Sequence, residues 1–309
     1  MTRATICECF ARDGLQHETA FLPTETKIAL IDAFTAAGFP RIEATSYSHP
    51  TQVPAFADAT DVLARIARRP GVHYKATCPN QRAVDRALAD LAAGHGATEL
   101  SLLVSATEAH TQRNLRATRP AQWDRVEGMA ATAKSHARLV GVISVAFGCP
   151  IEGAVDPATV EADATRFAAI GAGLIAIGDT TGVATPKTVR AMFRRLQSAL
   201  PGTTFVAHFH DTRGAGIANC MAALDEGCTH FDTAFGGVGG HPAAIHYGEG
   251  QTGNVVTEDL VSLLEASGVD TGIDLDRMMQ ASRLCEQALG RQLHSQVARA
   301  GRLKEPANA

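Results

Sequence analysis

Short apolar runs alternate with longer segments of helical periodicity along the whole chain. The runs fall at residues 4–9, 41–45, 73–77, 99–104, 139–147, 174–177, 203–208 and 230–234. Near-continuous apolar runs of this length read as strands of a parallel sheet buried on both faces. Between them, stretches such as 23–37, 80–92, 157–170, 186–200 and 213–226 repeat apolar residues at helical spacing, and several open with Pro. Repeated βα units of roughly 30 residues, eight strands in all, predict an α/β fold, a (β/α)8 TIM barrel. A doubly wound sheet would need a glycine-rich phosphate turn after an early strand, and Phe10-Ala11-Arg12-Asp13-Gly14 is not one. Beyond the eighth strand lies a glycine-rich loop, 236–254, then helical patterns at 257–266 and 274–289. The expected organisation is one domain over residues 1–309, with the barrel at about 4–254, additional C-terminal helices at about 255–290 and a weakly ordered tail at 291–309.

Within the seventh run the pattern carries chemistry. In Val206-Ala207-His208-Phe209-His210-Asp211, an extended strand points His208 and His210 to one face and Phe209 to the other. Two imidazoles on one face can clamp a metal, and the pair falls at the strand's carboxyl end, where α/β barrels keep their active sites.

Composition narrows the classes. Apolar residues make up 45 % of the chain, enough for a packed core, and the formal net charge of −4 has no basic or acidic block behind it. Neither nucleic acid nor an anionic membrane is therefore an expected partner. No run approaches 18 apolar residues and the first residues lack a hydrophobic leader, so the expected location is cytoplasmic. The seven cysteines are scattered without a Cys-x-x-Cys pair, which argues against a disulfide framework or a structural zinc site. Cys149, at a strand end, is the cysteine with a functional alternative to burial.

Further candidates sit at other strand ends. Arg12-Asp13 follows the first strand; the pair is either a surface ion pair or a guanidinium for a developing oxyanion beside a carboxylate for a hard cation. Glu43 ends the second strand and reads as a structural partner or a second rim carboxylate. In the long loop, Gly236-Gly237-Val238-Gly239-Gly240 gives a pliable backbone whose length suits a lid or binding loop. Asn254, just before a helix, is either an N-cap or a neutral metal ligand.

Six motifs, in order, resemble the 3-hydroxy-3-methylglutaryl-CoA (HMG-CoA) lyase family of metal-dependent TIM-barrel carbon–carbon lyases. They are Arg12-Asp13-Gly14-Leu15-Gln16, Ile42-Glu43-Ala44-Thr45-Ser46, Phe147-Gly148-Cys149-Pro150-Ile151-Glu152-Gly153, Gly178-Asp179-Thr180-Thr181-Gly182, His208-Phe209-His210-Asp211 and Gly253-Asn254-Val255-Val256-Thr257-Glu258-Asp259-Leu260. The resemblance covers nearly the whole chain. It implies a divalent cation, Mg²⁺ or Mn²⁺, held by Asp13, His208, His210 and Asn254, with Glu43 supporting the metal's water shell. It further implies Arg12 at the reacting acyl oxygen, Asp179 near the substrate hydroxyl and an acyl-CoA as substrate; a homodimer is left open.

One departure bears on the substrate. Where the family places a catalytic Cys after the loop glycines, this chain has His241, followed by the extra residues Ala243-Ala244-Ile245-His246-Tyr247. An imidazole titrating near pH 7 is able to transfer a proton in the thiol's place. Phe10-Ala11 also replaces the family's Gly-Pro before Arg12. The implied activity is cleavage of HMG-CoA or a related branched thioester to an acyl-CoA, usually acetyl-CoA, and a keto acid. The alternatives are a lyase for another substrate such as citramalyl-CoA, or an acetyl-CoA/2-oxoacid condensing synthase. A metallohydrolase on the same barrel and a noncatalytic binding protein rank below these.

Overall fold

A computed structural model describes residues 2–18, 21–240 and 253–301. Eight parallel strands close into a barrel in sequence order: β1 (Thr5–Glu8), β2 (Arg41–Ser46), β3 (His73–Thr77), β4 (Glu99–Ser105), β5 (Arg138–Ser144), β6 (Leu174–Asp179), β7 (Phe205–Phe209) and β8 (His230–Thr233), with β8 returning to pair with β1. The expected (β/α)8 TIM barrel is the observed architecture. Around it run α1 (Thr24–Ala37), α2 (Ala59–Arg65), α3 (Gln81–Ala92), α4 (Glu108–Leu115), α5 (Arg119–Ala133), α6 (Pro157–Ala169), α7 (Pro186–Ala199) and α8 (Gly216–Asp225), followed by α9 (Thr257–Ala266), α10 (Leu275–Leu289) and α11 (Gln296–Ala300).

Local chemistry explains several helix starts. Asn80, Thr118, Asp156, Thr185 and Asp274 each accept a backbone N–H of the first turn through the side chain, which satisfies donors that the helix itself leaves open. The helix expected from residue 213 begins instead at Gly216. Asp211 and Gly214 (φ 72°) make a turn first, and Asp211 Oδ1 accepts the Gly216 N–H at 2.6 Å. The fifth strand stops at Ser144, short of the expected 147. Val145 has φ 54° and gives its N–H to the Thr180 hydroxyl at 2.9 Å, so the ladder cannot continue.

The expected loose tail needs correction at its start. Leu293 is buried, Ser295 donates to Asp259 Oδ1 at 2.9 Å, and Asp259 also accepts the N–H groups of Gln296 and Val297, the first two residues of α11. Leu293 lies so close to Gly236 (φ 58°) that a Cβ there would meet it at 2.2 Å, which makes glycine a requirement where the loop after β8 begins.

Four rings brace the same end of the molecule. Phe34 of α1 meets Phe10, in the turn after β1, at 6.2 Å between centroids, and stacks on Phe235, in the turn after β8, at 5.0 Å; Phe39 packs edge-on against Phe34 and Phe235. All four are fully buried, each worth about 1.5–3 kcal/mol in transfer from water. Two loops that carry site residues are thereby fixed to one helix.

The barrel interior is divided by chemistry. Val140, Leu174, Ala176 and Val206 form a small apolar cluster on β5, β6 and β7. The opposite wall, from β8 round to β4, buries charge: Arg41 pairs with Glu99 at 2.9 Å, and Lys75 with Asp232 at 3.0 Å. Charges so far from water persist only when paired.

Candidate active site

The turn leaving β1 is a single π-helical turn, Phe10–Gly14, and it raises Arg12 and Asp13 over the barrel mouth. Glu8, one residue after Cys7 and on the opposite face of the strand, anchors that turn from outside. Its Oε1 accepts the N–H of Phe10 at 2.9 Å and of Phe235 at 3.1 Å, while Oε2 takes the Thr257 hydroxyl at 2.6 Å. One carboxylate thus gathers the exit of β1, the exit of β8 and the start of α9. Burial pushes the Glu8 carboxyl up to about 8, against the lowering effect of those donors.

Asp13 is the hub of the mouth. Oδ1 accepts from Arg12 Nη1 at 2.8 Å, Oδ2 accepts from Asn254 Nδ2 at 2.7 Å, and Oδ2 lies 3.8 Å from His210 Nε2. Ligand atoms of Asp13, His208 and His210 all fall within 4.8 Å of one another. Burial alone would raise the pKa of Asp13, but Arg12, the two imidazoles and Asn254 outweigh it and hold the carboxyl well below its usual range. Asp13 is therefore ionised at any working pH, as a metal ligand must be.

The two histidines share a face as the alternation requires, their ring centroids 5.4 Å apart. His210 stands one residue beyond β7, held there by an isolated bridge to Asn254. Asn254 does not cap α9, whose N-cap is Val256. Its amide nitrogen is committed to Asp13 and to the Val238 carbonyl at 3.0 Å, and its Oδ1 is buried with no hydrogen-bond partner among the described residues. A buried amide oxygen left open beside a carboxylate and two imidazoles is the donor set a hard or borderline divalent cation takes. The loop approaches closely here: at Gly239 (φ 146°) a Cβ would lie 2.4 Å from Asn254 Nδ2.

Arg12 reaches the second wall. Its Nη2 is 2.7 Å from Glu43 Oε1, which also accepts the Thr77 hydroxyl at 3.0 Å. Glu43 Oε2 is buried without a hydrogen-bond partner among the described residues. Below them, Lys75 Nζ sits 3.7 Å from Glu43 Oε1 and 3.0 Å from Asp232 Oδ2, and that oxygen faces His208 Nδ1 at 3.4 Å. Burial opposes a charge on His208, yet Asp232 and Asp13 together raise its pKa above the ordinary value. A cavity of about 470 Å³ opens over this floor, and Arg113, Arg116 and Arg125 line it.

Asp179, expected near the substrate hydroxyl, is engaged by the backbone of the turn after β6. Along β6, Ala176 and Gly178 line the cavity, so Asp179 turns the other way. Its two oxygens accept the N–H groups of Val183 at 3.0 Å and Ala184 at 2.9 Å, and burial raises its pKa. It shapes the turn after β6. Cys149, the cysteine held open, is buried, and its sulfur accepts the Thr107 hydroxyl at 3.1 Å and the N–H groups of Ile151 and Glu152. His241 lies outside the described residues.

Glu8, Arg41, Lys75 and Asp232 are not among the residues expected from the strand ends. The last three had a legible signal: a charged residue within a strand, at a position of the inward-facing period. The partners of such a charge come from other strands and are not written locally.

Comparison with known proteins places this geometry. The HMGL-like family model matches residues 3–285. The chain is 38 % identical over 299 residues to the mitochondrial hydroxymethylglutaryl-CoA lyase of Rattus norvegicus, covering 96 % of this chain and 89 % of that protein. It is 34 % identical over 296 residues to the cytoplasmic 3-hydroxy-3-methylglutaryl-CoA lyase of the same species, covering 96 % and 84 %. Among solved structures, an HMG-CoA lyase from Acinetobacter baumannii in complex with coenzyme A and 3-methylmalate superimposes with a TM-score of 0.91 at 34 % identity, over 99 % of this chain and 98 % of the other.

Proposed function

Because the chain belongs to the HMGL-like family, we propose that it is a divalent-metal-dependent carbon–carbon lyase that cleaves a 3-hydroxyacyl-CoA, with HMG-CoA the leading substrate, to acetyl-CoA and a keto acid. The observation that carries the reading is the convergence of Asp13, His208, His210 and the open Oδ1 of Asn254 beside the Arg12 guanidinium. Residues 1–309 are read as one lyase domain.

Asp13, His208, His210 and Asn254 would hold the cation, Mg²⁺ or Mn²⁺. When bound, such an ion acidifies the substrate hydroxyl and polarises a neighbouring oxygen. The remaining chemistry falls to this chain's side chains. As the hydroxyl proton passes to water at the site, the bond between the hydroxyl-bearing carbon and the carbon alpha to the thioester breaks. The hydroxyl-bearing carbon becomes a ketone, and the bonding pair moves to the thioester as an enolate. Arg12 is fixed by Asp13 and Glu43 and offers a guanidinium, charged at any working pH, to the enolate oxygen. Glu43 holds Arg12 through Oε1 and keeps Oε2 open for water at the site. His241, in the loop after Gly240, is assigned the proton that returns to the enolate carbon and completes acetyl-CoA.

The thioester class is supported by Arg113, Arg116 and Arg125 at the cavity, which suit the phosphates of a coenzyme A chain, and by the coenzyme A held in the Acinetobacter baumannii lyase. None of the described helices is long and apolar enough to cross a membrane. The test is a panel: purified protein with Mg²⁺, offered HMG-CoA, citramalyl-CoA and related 3-hydroxyacyl thioesters. The reading expects acetyl-CoA from at least one of them. Thiol release from acetyl-CoA that depends on an added 2-oxoacid, with no cleavage of any thioester, would assign the chain to a condensing synthase instead.

A further inference from the structure

Of the charged groups buried inside the barrel, one touches the metal-binding face without belonging to it. Asp232, on β8, presents Oδ2 to His208 Nδ1 at 3.4 Å across the β7–β8 pairing, where the two residues stand in register. The same carboxylate is held from below by Lys75 at 3.0 Å and Arg41 at 3.6 Å, and Arg41 is itself fixed by Glu99 at 2.9 Å. Asp232 is 3 % exposed and Lys75 2 %, so neither serves as a surface counter-ion.

An imidazole engaged at Nδ1 has only Nε2 left for a ligand on its other side. The nitrogen that carries the proton is set by the partner of the opposite one, and a carboxylate behind a ligating histidine both fixes the tautomer and raises the basicity of the free nitrogen. Lys75 touches Asp232 but is not paired with His208, so the two contributions are separable. A barrel floor that served packing alone would be apolar at this position, as it is on the β5–β7 wall.

We propose that Asp232 is a positioning residue for the metal site: by accepting the Nδ1 proton of His208 it fixes the imidazole so that Nε2 faces the cluster formed with Asp13 and His210. Lys75 and Arg41 neutralise Asp232 and keep it buried in that role. The inference rests on the metal reading given above.

The test compares Asp232→Asn, Lys75→Met and the double variant Asp232→Asn/Lys75→Met, which keeps the charge of the pair balanced. Mn²⁺ affinity is measured by electron paramagnetic resonance. The ¹⁵N shifts of the His208 ring are measured in the metal-free protein at a pH where the imidazole is neutral. Asp232→Asn and the double variant are expected to weaken Mn²⁺ binding roughly 10–100-fold, while Lys75→Met weakens it by less than about threefold. The ring of the parent protein is expected to carry its proton on Nδ1, and the double variant to lose that preference. Restoration of parental Mn²⁺ affinity in the double variant, or an unchanged tautomer, would overturn the proposal and reduce Asp232 to the counter-ion of Lys75. A parent protein that binds no Mn²⁺ would instead overturn the metal reading, and the ¹⁵N shifts would still decide whether Asp232 orients His208.

Discussion

Asn254 Nδ2 donates to Asp13 Oδ2 at 2.7 Å, and the amide oxygen on the other arm is buried with no hydrogen-bond partner among the described residues. The contact spans 241 positions of sequence and joins the turn after β1 to the segment beyond β8. Asn254→Ala removes one ligand atom and one support of Asp13 together. Mn²⁺ affinity, read by calorimetry, is expected to fall at least about tenfold with the fold intact by circular dichroism. Parental affinity would remove Asn254 from the ligand set.

The glycine loop bears on the same bond. A methyl group at position 239 would stand 2.4 Å from Asn254 Nδ2, so the amide must move to admit it. Gly239→Ala is expected to lower Mn²⁺ affinity as Asn254→Ala does, because it displaces the same amide. Gly202→Ala, where nothing lies near the added carbon, is the control for positive-φ strain and should leave the affinity unchanged.

Arg12 is the proposed donor to the enolate oxygen. Arg12→Met should retain Mn²⁺ binding within a few-fold and lower kcat by roughly 10²–10³, the cost typical of one lost oxyanion donor. A loss confined to KM would place Arg12 in ground-state binding.

His241 is the residue on which the substrate question turns. His241→Ala is expected to reduce kcat by about 10²–10⁴ at unchanged Mn²⁺ affinity. His241→Cys, which restores the residue the resemblance leads one to expect, should recover part of that loss on HMG-CoA. A near-parental rate for His241→Ala would show that the enolate takes its proton from elsewhere.

Glu8 sets a pH dependence of stability. Its folded-state pKa of about 8 exceeds the ordinary value of 4.5, so between those two values the folded protein binds more protons than the unfolded chain. Its contribution to stability is therefore full below pH 4.5 and lost as pH rises through about 8. Urea unfolding of Glu8→Gln from pH 5 to 9 should show a shallower decline than the parent, by an amount on the order of a few kcal/mol across the window. Parallel curves would mean that the three donors around Glu8 offset its burial.

Much of this is legible in the sequence. The strand period of two put His208 and His210 on one face, and the βα alternation put them at the mouth of a barrel; β3 matches its expected bounds and the other strands shift at one or both ends. The same period, carried to the end of β6, would have turned Asp179 outward, since Ala176 and Gly178 take the cavity side. The clasp made by Glu8 and the ladder from Arg12 through Glu43, Lys75 and Asp232 to His208 were not legible. Each link joins residues that are far apart in the chain, and only closure of the barrel brings them together.

The central claim is tested most directly by product analysis on HMG-CoA with protein stripped of metal and then resupplied. The account predicts acetyl-CoA and acetoacetate in equal amounts after Mg²⁺ or Mn²⁺ is returned, and neither in the stripped protein. Equal turnover with and without the cation, or no cleavage of HMG-CoA or any related 3-hydroxyacyl thioester in the presence of metal, would contradict it.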